Sequence, residues 1–275
     1  MKLNELKLEV DYFEFDEKYY HKINPTPLKN PKLVSFNPLA CHLINLDYSE
    51  CETSDFVDFI NGSKILEGST PFAMAYAGHQ FGYFVPQLGD GRAINLGAVN
   101  NWHLQTKGSG LTRYSRQGDG RAVLRSSIRE YIMSEAMFGL RIPTTRALGI
   151  IDSDSFAHRE WEQESCAIVL RMSPSWIRVG TFEFFARSRD KETISQLADY
   201  VIKQSYPHLE NEENKYEKMF YSLSDKTAEL LAKWQVYGFQ HGVMNTDNFS
   251  VAGLTIDYGP YAFMDYFEKN SICLG

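Results

Sequence analysis

The sequence contains no paired cysteine motif. Its cysteines are scattered, and no two of them are spaced as C-x-x-C; they are Cys41, Cys51, Cys166 and Cys273. Zinc sites built from cysteine need such close pairs, so no zinc site is predicted. A disulfide framework is also not expected in a chain of 275 residues. We therefore expect the protein to work in a reducing, cytoplasmic environment.

Long apolar runs are missing as well. No stretch approaches the roughly 18 consecutive apolar residues that mark a membrane-spanning helix. The first segment, MKLNELKLEVDYFEFDEKYY, lacks the apolar core and cleavage site of a secretory signal. The sequence therefore predicts neither a membrane span nor export.

Basic residues are fewer than acidic residues, 28 against 35. The formal net charge is −7 and the sequence pI is about 5.6, which argues against a general nucleic-acid binder or a protein that binds acidic membranes. Hydrophobic residues make up 43% of the chain and aromatic residues 14%, enough for the core of one large domain or two lobes. A local cluster of cations inside such an acidic chain suggests a small anionic ligand.

The cations cluster in the stretch LQTKGSGLTRYSRQGDGRAVLRSSIREYIMSEAMFGLRIPTTRALGI, residues 104–150. Apolar residues at helical spacing predict a helix from about Ala122 to Phe138. Two glycine turns, around Gly108 and Gly120, precede it, with four cations nearby: Lys107, Arg113, Arg116 and Arg121. Glycines and cations ahead of a helix N-terminus suit a phosphate group. The alternative is a solvated basic loop before a surface helix.

Strands flank this stretch on both sides. Alternating apolar residues predict a strand over Ala93–Val99, after a turn from Gln87 to Arg92 that contains Gly89 and Gly91. The next strand, Trp102–Thr106, leads to Lys107, and a lysine at a strand end is placed to contact phosphate oxygens. A further strand pair is predicted over Arg146–Ile151 and Glu164–Arg171.

Two more segments carry polar residues that could belong to a site. Arg171 and Arg178 flank Pro174 and could hold an anion from a loop, although paired surface arginines are common. His79 and Gln80 could line a site, although a lone histidine beside aromatic residues is more often a hydrogen-bonded core residue.

The remaining segments are predicted to comprise an N-terminal arm and two further helices. Residues 1–70 are interpreted as an extended arm that wraps a core, with one helix around Ser54–Ile60. Residues 192–205 and 224–239 are predicted helices. The second has an apolar stripe that we assign to the core, not to a cofactor: Thr227, Leu230, Leu231, Trp234 and Tyr237.

A group of oxygen-bearing side chains follows the last predicted helix. Asp247 and Asn248 precede a predicted hairpin, Phe249–Ala252 and Leu254–Ile256, and Asp257 comes directly after it. Two carboxylates and an amide brought together by a hairpin are the hard oxygen donors that Mg²⁺ prefers. The alternative is a pair of Asx turns around the hairpin.

The order of these parts is similar to that of protein kinases. A glycine turn, a strand lysine, a helix bearing Glu130, an H-G-x-x-x-x-D-N loop and D-Y-G follow one another. Two departures count against an ordinary protein kinase: the G-x-G-x-x-G loop is absent, and Asn248 directly follows Asp247 instead of lying five residues on.

Four segments resemble the SelO/YdiU family of kinase-like proteins: GDGRA, KGSGLTRYSRQGDGRAVLRSSIREYIMSEAM, RIPTTRAL and HGVMNTDNFSVAGLTIDYGPYAFMD. The resemblance runs from about Asn37 to the end. It implies an α+β, protein-kinase-like two-lobed fold: a β-rich N-lobe with an αC-like helix over 71–185, and a helical C-lobe over 186–275. Because family members run to several hundred residues, the C-lobe is expected to be incomplete at Gly275, leaving apolar surface of residues 224–239 uncovered and the activity of the chain open.

The resemblance also implies an activity. Family members bind ATP in a flipped orientation and transfer AMP, with Mg²⁺, to Ser, Thr or Tyr hydroxyls of proteins; uridylylation with Mn²⁺ is attributed to bacterial members. Carried over by motif, Asp247 would be the general base, and Asn248 and Asp257 would bind the metal. The nucleotide would contact Gly89, Gly91, Arg92, Lys107, Asp119, Gly120, Arg171, Arg178 and Asp257, with Glu130 holding Lys107.

Three functions remain open from the residues. The first is a protein adenylyltransferase, which fits the surplus of arginines because the β- and γ-phosphates would need neutralising while the α-phosphate is attacked. The second is an ATP-binding pseudokinase module without turnover. The third, a small-molecule kinase, is weakened by the arginine-rich insert. We expect a monomer whose partners are ATP and protein substrates, with no nucleic acid and no membrane.

Overall fold

The computed structural model describes residues 1–159 and 162–268, which form a mixed α+β structure. Cys273 lies outside the described residues. The strands, all paired in antiparallel fashion where the register is defined, are β1 (Tyr20–Lys22), β2 (Lys32–Phe36), β3 (Phe72–Gln80), β4 (Tyr83–Gly89), β5 (Ala93–Val99), β6 (Trp102–Lys107), β7 (Ala122–Val123), β8 (Arg146–Asp152), β9 (Phe156–Arg159), β10 (Glu162–Ser173), β11 (Phe239–Gln240), β12 (Phe249–Ser250), β13 (Leu254–Thr255) and β14 (Ala262–Phe263). The helices are α1 (Pro38–Leu43), α2 (Ser54–Asn61), α3 (Leu124–Gly139), α4 (Val179–Ala186), α5 (Lys191–Ser205) and α6 (Lys215–Val236).

The chain divides into two compact units. Unit 1 comprises Met1–Ala75, Leu88–Ile132 and Arg146–Ser173, and unit 2 comprises Tyr76–Gln87, Met133–Thr145 and Pro174–Gly275. The sequence prediction instead groups the chain into three consecutive segments. Residues 1–70, predicted to wrap a core as an extended arm, bury apolar side chains in the main core of unit 1, among them Leu3, Leu6 and Phe56.

The sheet of unit 1 explains where its polar residues gather. Its strand order is β1-β3-β5-β6-β10-β8-β2. Side chains alternate between the two faces of a strand. In β10, Ile168 and Leu170 join the main core together with α1 and α2, whereas Val169 packs with residues of α3. Arg171 follows Val169 by two positions, so it shares the face that is covered by α3.

Unit 2 is built from helices and short hairpins. Its core gathers residues from the end of α3, from α6 and from the β11–β14 region, including Met137, Trp234, Phe239 and Tyr258. The second half of β3 and most of β4 also belong to this unit, and the two strands pair. None of the helices in the described part of the chain is long and apolar enough to cross a membrane.

Most predicted elements are present, with three corrections. The central helix begins at Leu124 and not at Ala122, because Ala122 and Val123 pair with β10 as β7. The last helix begins at Lys215 and ends at Val236, so it starts nine residues before the predicted 224. Only part of its predicted core stripe is buried: Leu230 and Trp234 are, but Tyr237 lies beyond the helix end and is exposed.

Candidate functional site

Three charged side chains meet on the α3 face of the sheet in unit 1, and we call them the Lys–Glu–Arg cluster (Lys107, Glu130 and Arg171). Nη1 of Arg171 donates to Oε1 of Glu130 at 2.9 Å, and Nζ of Lys107 donates to Oε2 of the same carboxylate. Glu130 is only 6% exposed and Arg171 5%. Since one carboxylate faces two cations, the cluster carries a net positive charge and favours a nearby anion.

A row of three buried polar side chains, two amides and a carboxylate, extends this cluster across the sheet. Gln105 accepts a hydrogen bond from Arg171 and donates Nε2 to Oδ1 of Asn95 at 2.9 Å. Asn95 donates in turn to Oδ2 of Asp90 at 2.9 Å. The three residues lie on adjacent strands or turns and are almost fully buried. None of the three was predicted as a site residue, although an amide inside an otherwise apolar strand, as at Asn95 and Gln105, is a signal of a buried polar contact.

The predicted glycine turn at Gly89–Arg92 packs against the loop that follows β6. A Cβ added at Gly89 would lie 2.3 Å from the ring of Tyr114, and one at Gly91 would lie 2.8 Å from the carbonyl oxygen of Tyr114. Both glycines are therefore required for this close approach. The side chain of Arg92 is exposed, while its carbonyl accepts a hydrogen bond from Gly108 at 2.7 Å.

The second glycine turn is held by an ion pair that the sequence did not predict. Arg159 donates to the two carboxylate oxygens of Asp119 at 2.7 and 2.9 Å. These hydrogen bonds hold the pKa of Asp119 below its ordinary value. Gly120 has φ +71°, and a Cβ there would lie 2.2 Å from the backbone of Gly110. The turn is thus closely packed and fixed at Asp119.

Arg121 uses its charge locally. Its Nη1 donates to the carbonyl oxygens of Thr26 at 2.7 Å and Gly108 at 3.3 Å. It therefore joins the glycine turn after β6 to the N-terminal segment. A contact between Arg121 and phosphate groups stays a prediction. In the structure, its guanidinium links two segments of the backbone.

In unit 2, Asp247 lies in a short turn, residues 245–248, that we call the 245–248 turn. Its side chain is 8% exposed, and Nε2 of Gln80 donates to its Oδ2 at 2.8 Å. The other oxygen, Oδ1, is buried without a hydrogen-bond partner among the described residues. Burial raises the pKa of Asp247, and the hydrogen bond from Gln80 opposes this rise. A buried carboxylate with one unoccupied oxygen is suited to accept a proton.

Arg178 also binds the 245–248 turn. Its Nη1 donates to the carbonyl oxygen of Asp247 at 2.8 Å, and its guanidinium lies over the ring of Tyr76 at 4.1 Å from the centroid. The side chain is 6% exposed. Arg171 and Arg178 were predicted to act together from one loop, but the first is part of β10 in unit 1 and the second caps α4 in unit 2.

Asn248 and Asp257 are oriented by neighbours within unit 2. Nδ2 of Asn248 donates to the carbonyl of Val243 at 3.1 Å. The Oδ1 atom of Asn248 therefore lies on the side of the amide group that faces away from Val243. His241 lies within 2.8 Å of the Asp257 carbonyl through Nε2, while its Nδ1 accepts from the Val243 amide at 3.2 Å. These contacts define the neutral tautomer with the proton on Nε2. His241 is the first residue of the H-G-x-x-x-x-D-N loop, to which the sequence alone gave no separate role.

The predicted metal ligands fit Mg²⁺ by the type of their donor atoms. Within residues 1–159 and 162–268 there is no group of three or more His, Cys, Asp or Glu side chains arranged to hold a metal. An amide oxygen and one carboxylate are nevertheless what Mg²⁺ uses when phosphate oxygens and water complete its shell. The donor set therefore suits a metal that arrives with a nucleotide.

The predicted site residues divide between the two units. Unit 1 holds Gly89, Gly91, Arg92, Lys107, Asp119, Gly120, Glu130 and Arg171, and unit 2 holds Arg178, Asp247, Asn248 and Asp257. Within unit 1 the structure joins Lys107, Glu130 and Arg171 by direct contact. Within unit 2 it joins Arg178 to Asp247.

Comparisons with known proteins agree on one family. The family described as "Protein adenylyltransferase SelO" matches residues 2–274. The protein nucleotidyltransferase YdiU of Thiobacillus denitrificans is 48% identical over 98% of this chain and 56% of its own length. The proteins of the same name from Myxococcus xanthus and Thioalkalivibrio sulfidiphilus are 48% and 49% identical, over 98% and 99% of this chain and 56% of their own lengths. The chain thus spans a little over half of these relatives.

Proposed function

The chain belongs to the SelO family, and we propose that it transfers AMP from ATP to Ser, Thr or Tyr hydroxyls of proteins. The observation that carries this proposal is the carboxylate of Asp247, which is buried, held by Gln80 on one oxygen and without a partner among the described residues on the other. The curated relatives that bear the name protein nucleotidyltransferase support the reaction class.

The proposed reaction is a substitution at the α-phosphorus of ATP. Oδ1 of Asp247 accepts the proton of the acceptor hydroxyl, and the acceptor oxygen forms a bond to the α-phosphorus. The bond between the α-phosphorus and the bridging oxygen breaks, and that oxygen leaves with pyrophosphate. The products are the AMP ester of the acceptor, pyrophosphate and a proton on Asp247, so atoms and charge balance.

The fold that we propose is kinase-like and two-lobed. The β-rich unit 1, with α3 in the place of the αC helix, corresponds to the N-lobe, and the helix-rich unit 2 corresponds to the C-lobe. The ion pair between Lys107 at a strand end and Glu130 on α3 supports this assignment, because protein kinases place a Lys–Glu pair on the same two elements.

The nucleotide-binding role is assigned mainly to unit 1. We propose that Lys107 and Arg171 of the Lys–Glu–Arg cluster contact the phosphates, and that Glu130 keeps both cations in place. The backbone of Gly89, Gly91 and Gly120 would approach the nucleotide, with Arg92 and Asp119 beside it. Arg178 of unit 2 would add a phosphate contact, although its guanidinium already holds the 245–248 turn.

Asn248 and Asp257 would hold Mg²⁺, or Mn²⁺ for a reaction with UTP, and the bound ion would neutralise charge on the phosphate oxygens. Mg²⁺-dependent AMP transfer is the main proposal, and UMP transfer with Mn²⁺ is an additional one. We further propose that the protein acts in the cytoplasm as a monomer, with ATP and proteins as its partners.

Labelled ATP tests the proposal. ATP labelled at the α-phosphate should transfer label to the chain itself or to added protein, and ATP labelled at the γ-phosphate should not. Asp257→Ala and Lys107→Ala should abolish the transfer. Label from the γ-phosphate would identify a kinase and refute AMP transfer. Binding of ATP by calorimetry without any transfer would identify the inert ATP-binding module instead.

A further inference from the structure

Three consecutive residues of the β3–β4 hairpin donate hydrogen bonds to three residues of the 245–248 turn, all within unit 2. The backbone N–H of His79 donates to Oγ1 of Thr246 at 2.8 Å, and Nε2 of Gln80 donates to Oδ2 of Asp247 at 2.8 Å. The backbone N–H of Phe81 donates to Oδ1 of Asn245 at 3.4 Å. Gln80 is therefore not an isolated surface contact, since its position is set by the residues before and after it.

Glu183 of α4 contacts both the hairpin and the 245–248 turn. Its Oε2 accepts from the hydroxyl of Thr246 at 2.9 Å, and its Oε1 lies 2.7 Å from Nδ1 of His79. The carboxylate is largely buried, with 19% of the side chain exposed. Through these bonds α4 fixes the distance between the end of β3 and the 245–248 turn.

The close approach of α4 depends on Gly180 in its first turn. A Cβ at this position would lie 2.1 Å from the carbonyl oxygen of Ala77 and 3.4 Å from that of Thr246. No side chain larger than hydrogen fits without moving backbone atoms. Glu183, one turn further along the helix, can reach both His79 and Thr246 only because α4 lies this close.

The two carboxylate oxygens of Asp247 differ in their hydrogen bonding. Oδ2 accepts a hydrogen bond from the amide of Gln80, whereas Nη1 of Arg178 donates to the backbone carbonyl of Asp247. A fixed donor on one oxygen restricts the rotation of a carboxylate about its side-chain bonds. The hydrogen bond from Gln80 to Oδ2 therefore determines which oxygen, Oδ1, is left without a partner among the described residues.

We infer that Gln80 is a positioning residue for the proposed transfer: its amide holds Oδ2 of Asp247 so that Oδ1 is presented to the acceptor hydroxyl. The inference rests on the proposed function, because it assigns Asp247 the role of base. It extends that function by adding a residue that touches neither nucleotide nor acceptor. A mistake of about 1 Å in the placement of a catalytic group costs on the order of 10²-fold in rate.

The first test replaces the amide by an apolar group of similar size. Gln80→Leu should lower kcat about 10–100-fold, while the KM for ATP and the ATP affinity measured by calorimetry change less than about twofold. Gln163→Leu, at an exposed position of β10, is the matched control and should keep the parent rate. An unchanged or increased kcat in Gln80→Leu would overturn the inference, and an increase would identify Gln80 as an inhibitory contact.

A double-mutant cycle separates positioning from general support of the fold. In an Asp247→Asn background, Gln80→Leu should cause almost no further loss, because the group that it positions is already disabled. A full additional loss of about 10-fold or more would show that Gln80 acts elsewhere and would refute the positioning role.

Hydrogen exchange gives a readout that does not depend on turnover. Gln80→Leu should speed amide exchange in residues 245–248 and leave exchange in α6 unchanged. If the parent transfers no label, the proposed function fails, and this measurement still decides on the contact. Identical exchange in the parent and in Gln80→Leu would overturn the inference in either case.

Discussion

The guanidinium of Arg171 lies 2.9 Å from the carboxylate of Glu130, which is at the same time the partner of Lys107. The pairing of Lys107 with Glu130 agrees with what the family resemblance implies, but the second cation on Glu130 was not foreseen. Arg171 is therefore held in place before any ligand binds. A preorganised cation contributes more to phosphate binding than a mobile one, since less side-chain entropy is lost on binding.

Replacing Glu130 should be costly because it leaves the buried Arg171 and the partly buried Lys107 without their shared counter-charge. We expect Glu130→Gln to lower the free energy of unfolding by about 3–5 kcal/mol and to weaken ATP binding. Urea denaturation and calorimetry measure the two effects. Glu164→Gln removes the partner of the exposed Arg125 and is the control; its cost should be much smaller, because solvent screens an exposed ion pair. Equal costs in the two variants would contradict the special role of Glu130.

Removing the proposed base should separate transfer from binding. Asp247→Ala should reduce AMP transfer by about 10²–10⁴-fold, because the proton of the acceptor hydroxyl loses its buried acceptor. The ATP affinity should stay nearly the same, since the carboxylate acts on the acceptor and not on the nucleotide. Transfer is measured with α-labelled ATP and affinity by calorimetry. A large drop in ATP affinity would count against the role of base.

The ion pair between Asp119 and Arg159 should make stability depend on acid pH. The pKa of Asp119 is lowered in the folded protein by the hydrogen bonds from Arg159. The stabilisation is therefore complete above the ordinary aspartate pKa of about 3.9 and is lost as pH falls through the lower folded value. Because Asp119 is 43% exposed, the pair contributes only about 0.2–1 kcal/mol.

Urea titrations of the parent and of Arg159→Gln test this pH dependence. The difference in unfolding free energy between the two proteins should be constant near neutral pH and should shrink as the pH is lowered below about 4. A difference that does not change between pH 7 and pH 3 would contradict the assignment of the lowered pKa to Arg159.

Gly180 should tolerate no side chain, whereas Gly139 should. Gly180→Ala places a Cβ 2.1 Å from the Ala77 carbonyl oxygen, so α4 must move away from the 245–248 turn, and we expect a loss of about 1–3 kcal/mol. Gly139 is the last residue of α3, and a Cβ there meets no described atom beyond its own helical backbone within 4 Å. Gly139→Ala should be neutral or stabilise by about 0.4–1 kcal/mol. Thermal unfolding of both variants gives the comparison.

Much of the secondary structure could be predicted because it depends on near neighbours in the chain. The strand Ala93–Val99 was predicted with the bounds that it has, and helix α5 was predicted to within one residue. The start of α3 was wrong because Ala122 and Val123 are drawn into a pairing with β10, whose residues lie more than 40 positions away. Sequence periodicity carries no information about such a pairing.

The candidate site was predicted as a set of residue types and not as a set of contacts. Lys107, Asp247 and Asp257 stand out by their motifs. The polar row of Asp90, Asn95 and Gln105 does not, because its members look like isolated polar residues until the strand register places them side by side.

The sequence by itself determined the alternation of the strands, the glycine turns and the donor groups available for chemistry, because each depends on residues close together in the chain. The tertiary structure decided which polar groups bind one another. It assigned Arg171 to Glu130, Arg121 to two backbone carbonyls and Gln80 to Asp247. These partners are between 13 and 167 residues apart. A side chain of given charge has many possible partners in the sequence, and only packing and strand register bring one of them within hydrogen-bond distance.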